Sequence, residues 1–186
     1  MENNQQLLEE AEHAMAKVYS QTQDAFAKIQ AGRAVPAMLQ QVAVTHYGTP
    51  TPLHQLAAIN TTDARTLTIQ PWEQQLIPHI EKAIAERQLG FSTKNDGRVV
   101  VATLPPPSEE RRKNLVKLIK NEAEKYKIII RNVRRDYKDS LKLAQKSGTS
   151  EEEIKRAEKK LQERTDAYIH KINELLALKE ADVMTV

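Results

Sequence analysis

The chain has 186 residues and a mass of 21.1 kDa, enough for one good core or two small ones. It is 28% charged, only 4% aromatic and has a mean hydropathy of −0.60, a balance that suits long solvated helices better than a dense globular core. It carries a net charge of +3 and no cysteine, which excludes disulfide scaffolds, thiolate zinc sites and thiol catalysis. No apolar run approaches the roughly 20 residues of a membrane span, so no membrane partner is expected. "MENNQQLLEEAE" has neither the basic start nor the apolar stretch of a signal peptide, and a soluble cytoplasmic protein is the expectation.

The first 30 residues show helical spacing. Leu8, Ala11, Met15, Val18, Thr22, Ala25 and Ile29 alternate steps of three and four, a narrow seam and not a broad globular face. "AGRAVP" ends it, because Gly32 and Pro36 both act against continuation.

The pattern then changes to that of a small α+β region. Val42, Val44 and His46 alternate as a strand would, with Gly48, Pro50 and Pro52 following as turn residues. Leu67 and Ile69 predict a second strand. Ile77, Ile80 and Ile84 predict a short helix closed by Gly90. Asn95–Gly97 predicts a turn, Val99–Val101 a strand, and the prolines from Pro105 a stop.

Helical spacing returns after the prolines. Ser108 can cap the start, with Glu109 and Glu110 in the first turn where the helix dipole favours acids. The seam runs Leu115, Ile119, Ala123, Tyr126, Ile130, Val133, Tyr137, Leu141, Ala144, every step three or four. Gly148 breaks it, and Ser150 to Glu153 form a capping box for a third helix with Ile154, Leu161, Tyr168 and Leu175 at sevenfold spacing. Ile172, Leu176 and Val183 reinforce that stripe.

Three narrow-seamed helices can bury their stripes only against one another. The fold class expected is therefore α+β: an elongated antiparallel three-helix bundle from residues 1–30 and 107–186. A small β/α/β-type domain, residues 31–106, is inserted between its first two helices. The connections near 31–34 (Gly32, Arg33, Ala34) and 104–107 (Leu104, Pro105, Pro106, Pro107) are few enough to act as hinges.

The charge is unevenly spread. Residues 109–146 hold 13 basic and 6 acidic side chains, whereas residues 34–108 hold 5 of each. Within the basic segment Lys117, Lys120, Lys127, Arg131, Arg134 and Lys138 recur in steps of three, four or seven, with Glu124 the one acid in the row. This stripe is displaced by one residue, about 100°, from the apolar seam. Arg135 and the pair Arg111–Arg112 flank it. A solvating face would mix signs, and arginine where lysine would suffice favours forked contacts to phosphate. A nucleic acid or another polyanion is the implied partner. A rigid stripe with few aromatic neighbours suits the backbone of a folded RNA better than unpaired bases. With no zinc finger and no basic region feeding a zipper, DNA is not expected.

No catalytic chemistry accompanies the stripe. The histidines at 13, 46, 54, 79 and 170 are scattered, with no acidic or cysteine partner at ligand spacing, and no phosphate-cradling glycine loop or nucleophile elbow is present. No catalytic residue, metal site or cofactor is expected, and the chain reads as a non-enzyme. A second reading is a coiled-coil structural or chaperone-like adaptor whose basic stripe binds an acidic protein.

Several blocks, in order along essentially the full chain, resemble the bacterial and organellar ribosome recycling factor family: "AGRAVPAML", "YGTPTPLHQLAAI", "DARTLTIQPW", "NDG", "SEERRKNLVK", "RNVRRD" and "KINELLALKEADVM". The resemblance implies an L-shaped, tRNA-like monomer of a three-helix bundle and a hinged α+β domain. It implies a translation factor that binds the post-termination ribosome through large-subunit rRNA, with elongation factor G and GTP then separating the subunits. It places rRNA contacts on Arg131, Arg134 and the adjacent Arg135, and adds Arg33 at the hinge end and Arg111 and Arg112 of "EERR". Ala31, Val101, Pro107 and Ser108 stand where threonine, arginine, leucine and threonine are usual in the family, and Ser108 keeps the capping chemistry.

Overall fold

The structure is a computed structural model that describes residues 2–29 and 31–186. Residues 1 and 30, the limits assigned above to the first bundle segment, lie outside them. The chain divides into two compact units, one of residues 1–30 and 112–185, the other of residues 31–111 with Val186.

The first unit holds three long helices, α1 (Glu2–Lys28), α5 (Glu109–Lys146) and α6 (Glu151–Thr185), numbered with the short helices of the second unit. In α1 the seam buries Leu8, Ala11, Met15, Val18 and Thr22 and then passes to Phe26, 2% exposed. The expected continuation through Ala25 and Ile29 is only half-buried. The extra step of four keeps the stripe in phase with a 3.6-residue turn, where a strict 3.5 repeat drifts. Thr22 and Thr165 are fully buried, and each hydroxyl donates to the carbonyl one turn earlier, on Val18 and Leu161, at 2.8 Å. That contact satisfies the polar group inside an apolar seam.

Both later helices are capped as their sequences predict. The Ser108 hydroxyl accepts from the Arg111 amide at 3.2 Å, and the Ser150 hydroxyl from the Glu153 amide at 3.3 Å. Gly148 takes φ +109°, which an L side chain rarely adopts, and lets the chain reverse between α5 and α6. Lys120 meets Glu180 and Lys138 meets Glu158, so α6 runs antiparallel to α5. Arg164 meets Glu12 and Tyr168 meets Tyr19, so α1 runs parallel to α6. At the base of α5, half-buried Arg112 donates to the Met184 carbonyl at 3.3 Å.

The second unit contains α2 (Ala37–Gln40), β1 (Ala43–His46), β2 (Thr49–Pro52), α3 (Leu53–Leu56), β3 (Ala57–Asp63) and β4 (Thr66–Pro71). A 3-10 turn (Gln74–Leu76), α4 (Ile77–Glu86), β5 (Ser92–Asn95) and β6 (Val100–Thr103) follow. β1 and β2 pair as a separate two-stranded ribbon, and the other four strands form an antiparallel sheet in the order β3-β4-β6-β5. Leu67 and Ile69 of β4, Val100 and Ala102 of β6, and Ile80 and Ile84 of α4 are all buried in one continuous core.

Several local expectations are corrected here. Pro50 and Pro52 are not turn residues but lie in β2. They are tolerated because β2 has a single partner and leaves one edge without ladder bonds. The turn is confined to Tyr47 and Gly48, both at positive φ. Helix α4 ends at Glu86, ahead of Gly90, and Gln88 at φ +50° takes the left-handed turn that glycine was expected to supply. The strand expected at Val99–Val101 is shifted to Val100–Thr103. Strands β3 and β5 were not legible: "AAINTTD" and "STKN" are edge strands with few buried side chains, so alternation is weak.

Two segments near the ends of this unit are tied to its β3–β4 turn. The Ala34 amide donates to the Ala64 carbonyl and the Leu104 amide to the Arg65 carbonyl, both at 2.8 Å. The Arg65 guanidinium donates to the Leu104 carbonyl at 3.2 Å. Gly32, at φ +82°, passes so close to Pro107 that an added Cβ would lie 3.3 Å from its Cγ.

Candidate nucleic-acid interface

Helix α5 uses two of its faces for different purposes. Ile119, Ala123, Ile130, Leu141 and Ala144 are buried in the bundle. One residue further round lie Lys120, Glu124 and Arg131, and the same turn places Lys127 after Tyr126, Arg134 after Val133 and Lys138 after Tyr137. Because the apolar residues must face the other helices, the cations are forced onto the edge of the bundle.

That edge borders α6, and this decides what each cation touches. Lys120 lies 3.7 Å from Glu180 and Lys138 3.6 Å from Glu158, both across the groove. Within α5, Glu124 sits 3.3 Å from Lys127 and 3.5 Å from Arg131, so the one acid of the row serves two cations. The Arg134 guanidinium donates to the amide oxygen of Gln162 at 2.8 Å. Arg135 is exposed, with Asp136 3.8 Å from its Nε. Lys117 is exposed and makes no ion pair among the described residues.

Most of these side chains remain open to a ligand. The side chains of Arg131 and Lys138 are each 46% exposed and that of Lys120 61%, whereas Lys127 is mostly covered at 14%. Exposed ion pairs of this kind are worth roughly 0–1 kcal/mol, so phosphate oxygens can displace the carboxylates at little cost. The pairs hold the side chains near the edge without neutralising it, since cations outnumber acids along the row.

The structure brings Lys117, Lys120, Lys127, Arg131, Arg134, Arg135 and Lys138 together on one side of α5. Arg111 lies outside that row, and Arg112 is turned toward the α6 terminus through its bond to Met184. Arg33 is exposed in the other compact unit, in the segment between Gly32 and Ala34. Sequence reasoning missed Lys113 and Lys142, which extend the row by steps of four at both ends and were legible by the same spacing. It also missed Glu158, Gln162 and Glu180 of α6, for which no local signal exists, because only the register between two helices places them opposite α5.

The family model described as ribosome recycling factor matches residues 22–184. A ribosome-recycling factor of Amoebophilus asiaticus is 52% identical over 186 residues, covering all of both chains. One from Desulforamulus reducens is 44% identical over 181 residues, covering 97% of this chain and 98% of its own. Among solved structures, a solution structure of the ribosome recycling factor aligns with a TM-score of 0.69 at 36% identity, covering 100% of both chains. A second is from models for the T. thermophilus ribosome recycling factor and the E. coli elongation factor G bound to the E. coli post-termination complex. It aligns at 0.61 and 39% identity, covering 97% of this chain and 98% of the other.

Proposed function

The chain belongs to the ribosome recycling factor family, and from that premise we propose that it acts on the post-termination ribosome, binding large-subunit rRNA through the basic edge of α5. Elongation factor G and GTP then drive separation of the subunits. The observation that carries the rRNA assignment is the single-sided row from Lys117 to Lys138, with arginines at 131, 134 and 135. Guanidinium forks suit phosphate pairs, and a straight helix edge suits the regular spacing of a folded RNA backbone.

The α+β unit has the complementary role. Its balanced charge leaves it without a strong phosphate anchor, which fits a part that must move under the push of elongation factor G. The pivots are assigned to the connections near 31–34 and 104–107, next to the Ala34 and Leu104 amides that are each bonded to the β3–β4 turn. Pro105, Pro106 and Pro107 stiffen the second connection, and Gly32 supplies the sharp bend of the first. The factor itself performs no bond chemistry.

Light scattering tests this directly. Post-termination ribosomes mixed with the protein, elongation factor G and GTP should lose scattering as subunits separate, and Arg131→Ala/Arg134→Ala should slow that loss at least tenfold. A doubly substituted protein that splits ribosomes at the normal rate would refute the assignment of the α5 edge. Binding should also weaken linearly on a log–log plot against salt, as phosphate contacts require.

A further inference from the structure

We infer that Gln162 of α6, held by Asp166, is a positioning residue that presents Arg134 to rRNA with its charge intact. The inference rests on the reading of the α5 edge as the rRNA-binding face.

The geometry is a short relay. The Arg134 Nη1 donates to Gln162 Oε1 at 2.8 Å, and the Gln162 Nε2 donates to Asp166 Oδ1 at 2.8 Å. Arginine can only donate and a carboxylate can only accept, so the amide has one orientation consistent with both neighbours. Gln162 and Asp166 are one turn apart on α6, which lets the second pin the first.

What sets Arg134 apart is the charge of its partner. Arg131 faces the Glu124 carboxylate and Arg135 that of Asp136. Among the described arginines of this edge, Arg134 is the one held by a neutral group. An amide oxygen accepts a hydrogen bond without cancelling the positive charge. It fixes one nitrogen of the guanidinium and leaves the remaining donors free for a phosphate. A guanidinium already ordered loses less conformational freedom on binding, and one not neutralised has no carboxylate to shed.

Two substitutions separate positioning from charge. Gln162→Met keeps the length and shape of the side chain but removes both hydrogen bonds. Gln162→Glu keeps an acceptor for Arg134 but adds the competing charge. Gln162 is exposed, so the thermal melt of each variant should match the parent.

Binding to 70S ribosomes is then measured across a salt series, with Arg134→Ala as reference. Gln162→Met should weaken binding about fivefold with an unchanged salt slope, because the phosphate contact persists from a less ordered side chain. Gln162→Glu should reduce the magnitude of the slope by about one, because Arg134 stays with the new carboxylate. The Gln162→Met loss should vanish when residue 134 is alanine.

Parental affinity for Gln162→Met, or the same loss with alanine at 134, would overturn the positioning role while leaving Arg134 as an rRNA contact. Parental affinity for Arg134→Ala would remove the contact itself, and the positioning role with it.

Discussion

The two units of this protein solve the problem of burial in opposite ways. The α+β unit gathers Leu67, Ile69, Ile80, Ile84, Val100 and Ala102 into one core against its four-stranded sheet. The bundle spreads its burial along three helices, one or two side chains per turn, and includes alanine and threonine among them. A narrow seam leaves most of each helix surface outside, and α5 uses that surface for a continuous row of cations. The α+β unit has no such row, and its charges balance. The excess positive charge thus falls on the bundle, on the unit proposed to anchor the protein.

The first way to break this contrast is to disrupt each core. Ile130→Asp places a carboxylate at a fully buried seam position and should destabilise the bundle by more than about 4 kcal/mol. Ile69→Ala in the sheet core should cost about 2–4 kcal/mol, because it leaves a cavity but no buried charge. Denaturant titration of both variants checks the order. An Ile130→Asp protein as stable as the parent would mean that the seam tolerates solvent. Val133, although on the seam, is half-buried and a weaker probe.

Gly32→Ala tests the backbone at the edge of the α+β unit. Its φ of +82° and the 3.3 Å approach to Pro107 predict a loss of about 1–2 kcal/mol. A thermal melt would register it. An unchanged melt would show that this segment relaxes around an added methyl group.

The charge contrast is sharpened by matched arginines. Arg131→Ala should weaken binding to ribosomes about three- to tenfold with little change in stability, since it touches only an exposed carboxylate. Arg98→Ala, on an exposed turn of the α+β unit, should leave affinity within about twofold. Equal losses would erase the proposed division between the units.

The smallest effect is acid sensitivity. The Asp96 carboxylate accepts from the Val99 and Arg98 amides at 2.9 Å, and those bonds hold its pKa below the ordinary value of 3.8. A depressed carboxylate contributes stability that is fully present above its unfolded value and is lost as pH falls through the folded one. Asp96→Ala should therefore be slightly less stable than the parent at neutral pH, with the difference fading below about pH 3.8. A difference that persists undiminished at pH 2 would show that the charge plays no part.

Periodicity made the long helices legible because their buried residues repeat over about five to eight turns. Two misplaced residues at the end of α1, Ala25 and Ile29 where Phe26 carries the seam, do not hide such a pattern. The α+β unit was read less completely. Short edge strands such as β3 bury little and carry little alternation, and prolines in β2 look like turn residues until their strand is known to be at an edge. Of the candidate interface, the cations were legible because one helix carries them all. Glu158, Gln162 and Glu180 were not, because their importance depends on a partner far away in sequence.

By itself, then, the sequence determined where the helices run, that one of them carries the positive charge, and to which family the chain belongs. These are properties of local spacing and of ordered motifs, and neither requires knowing what lies opposite. Only the tertiary structure decided which cations meet carboxylates, that Arg134 meets an amide, and that Arg112 serves the base of the bundle. Those outcomes depend on the register between helices, which side-chain packing sets across the whole bundle and no local stretch of sequence specifies.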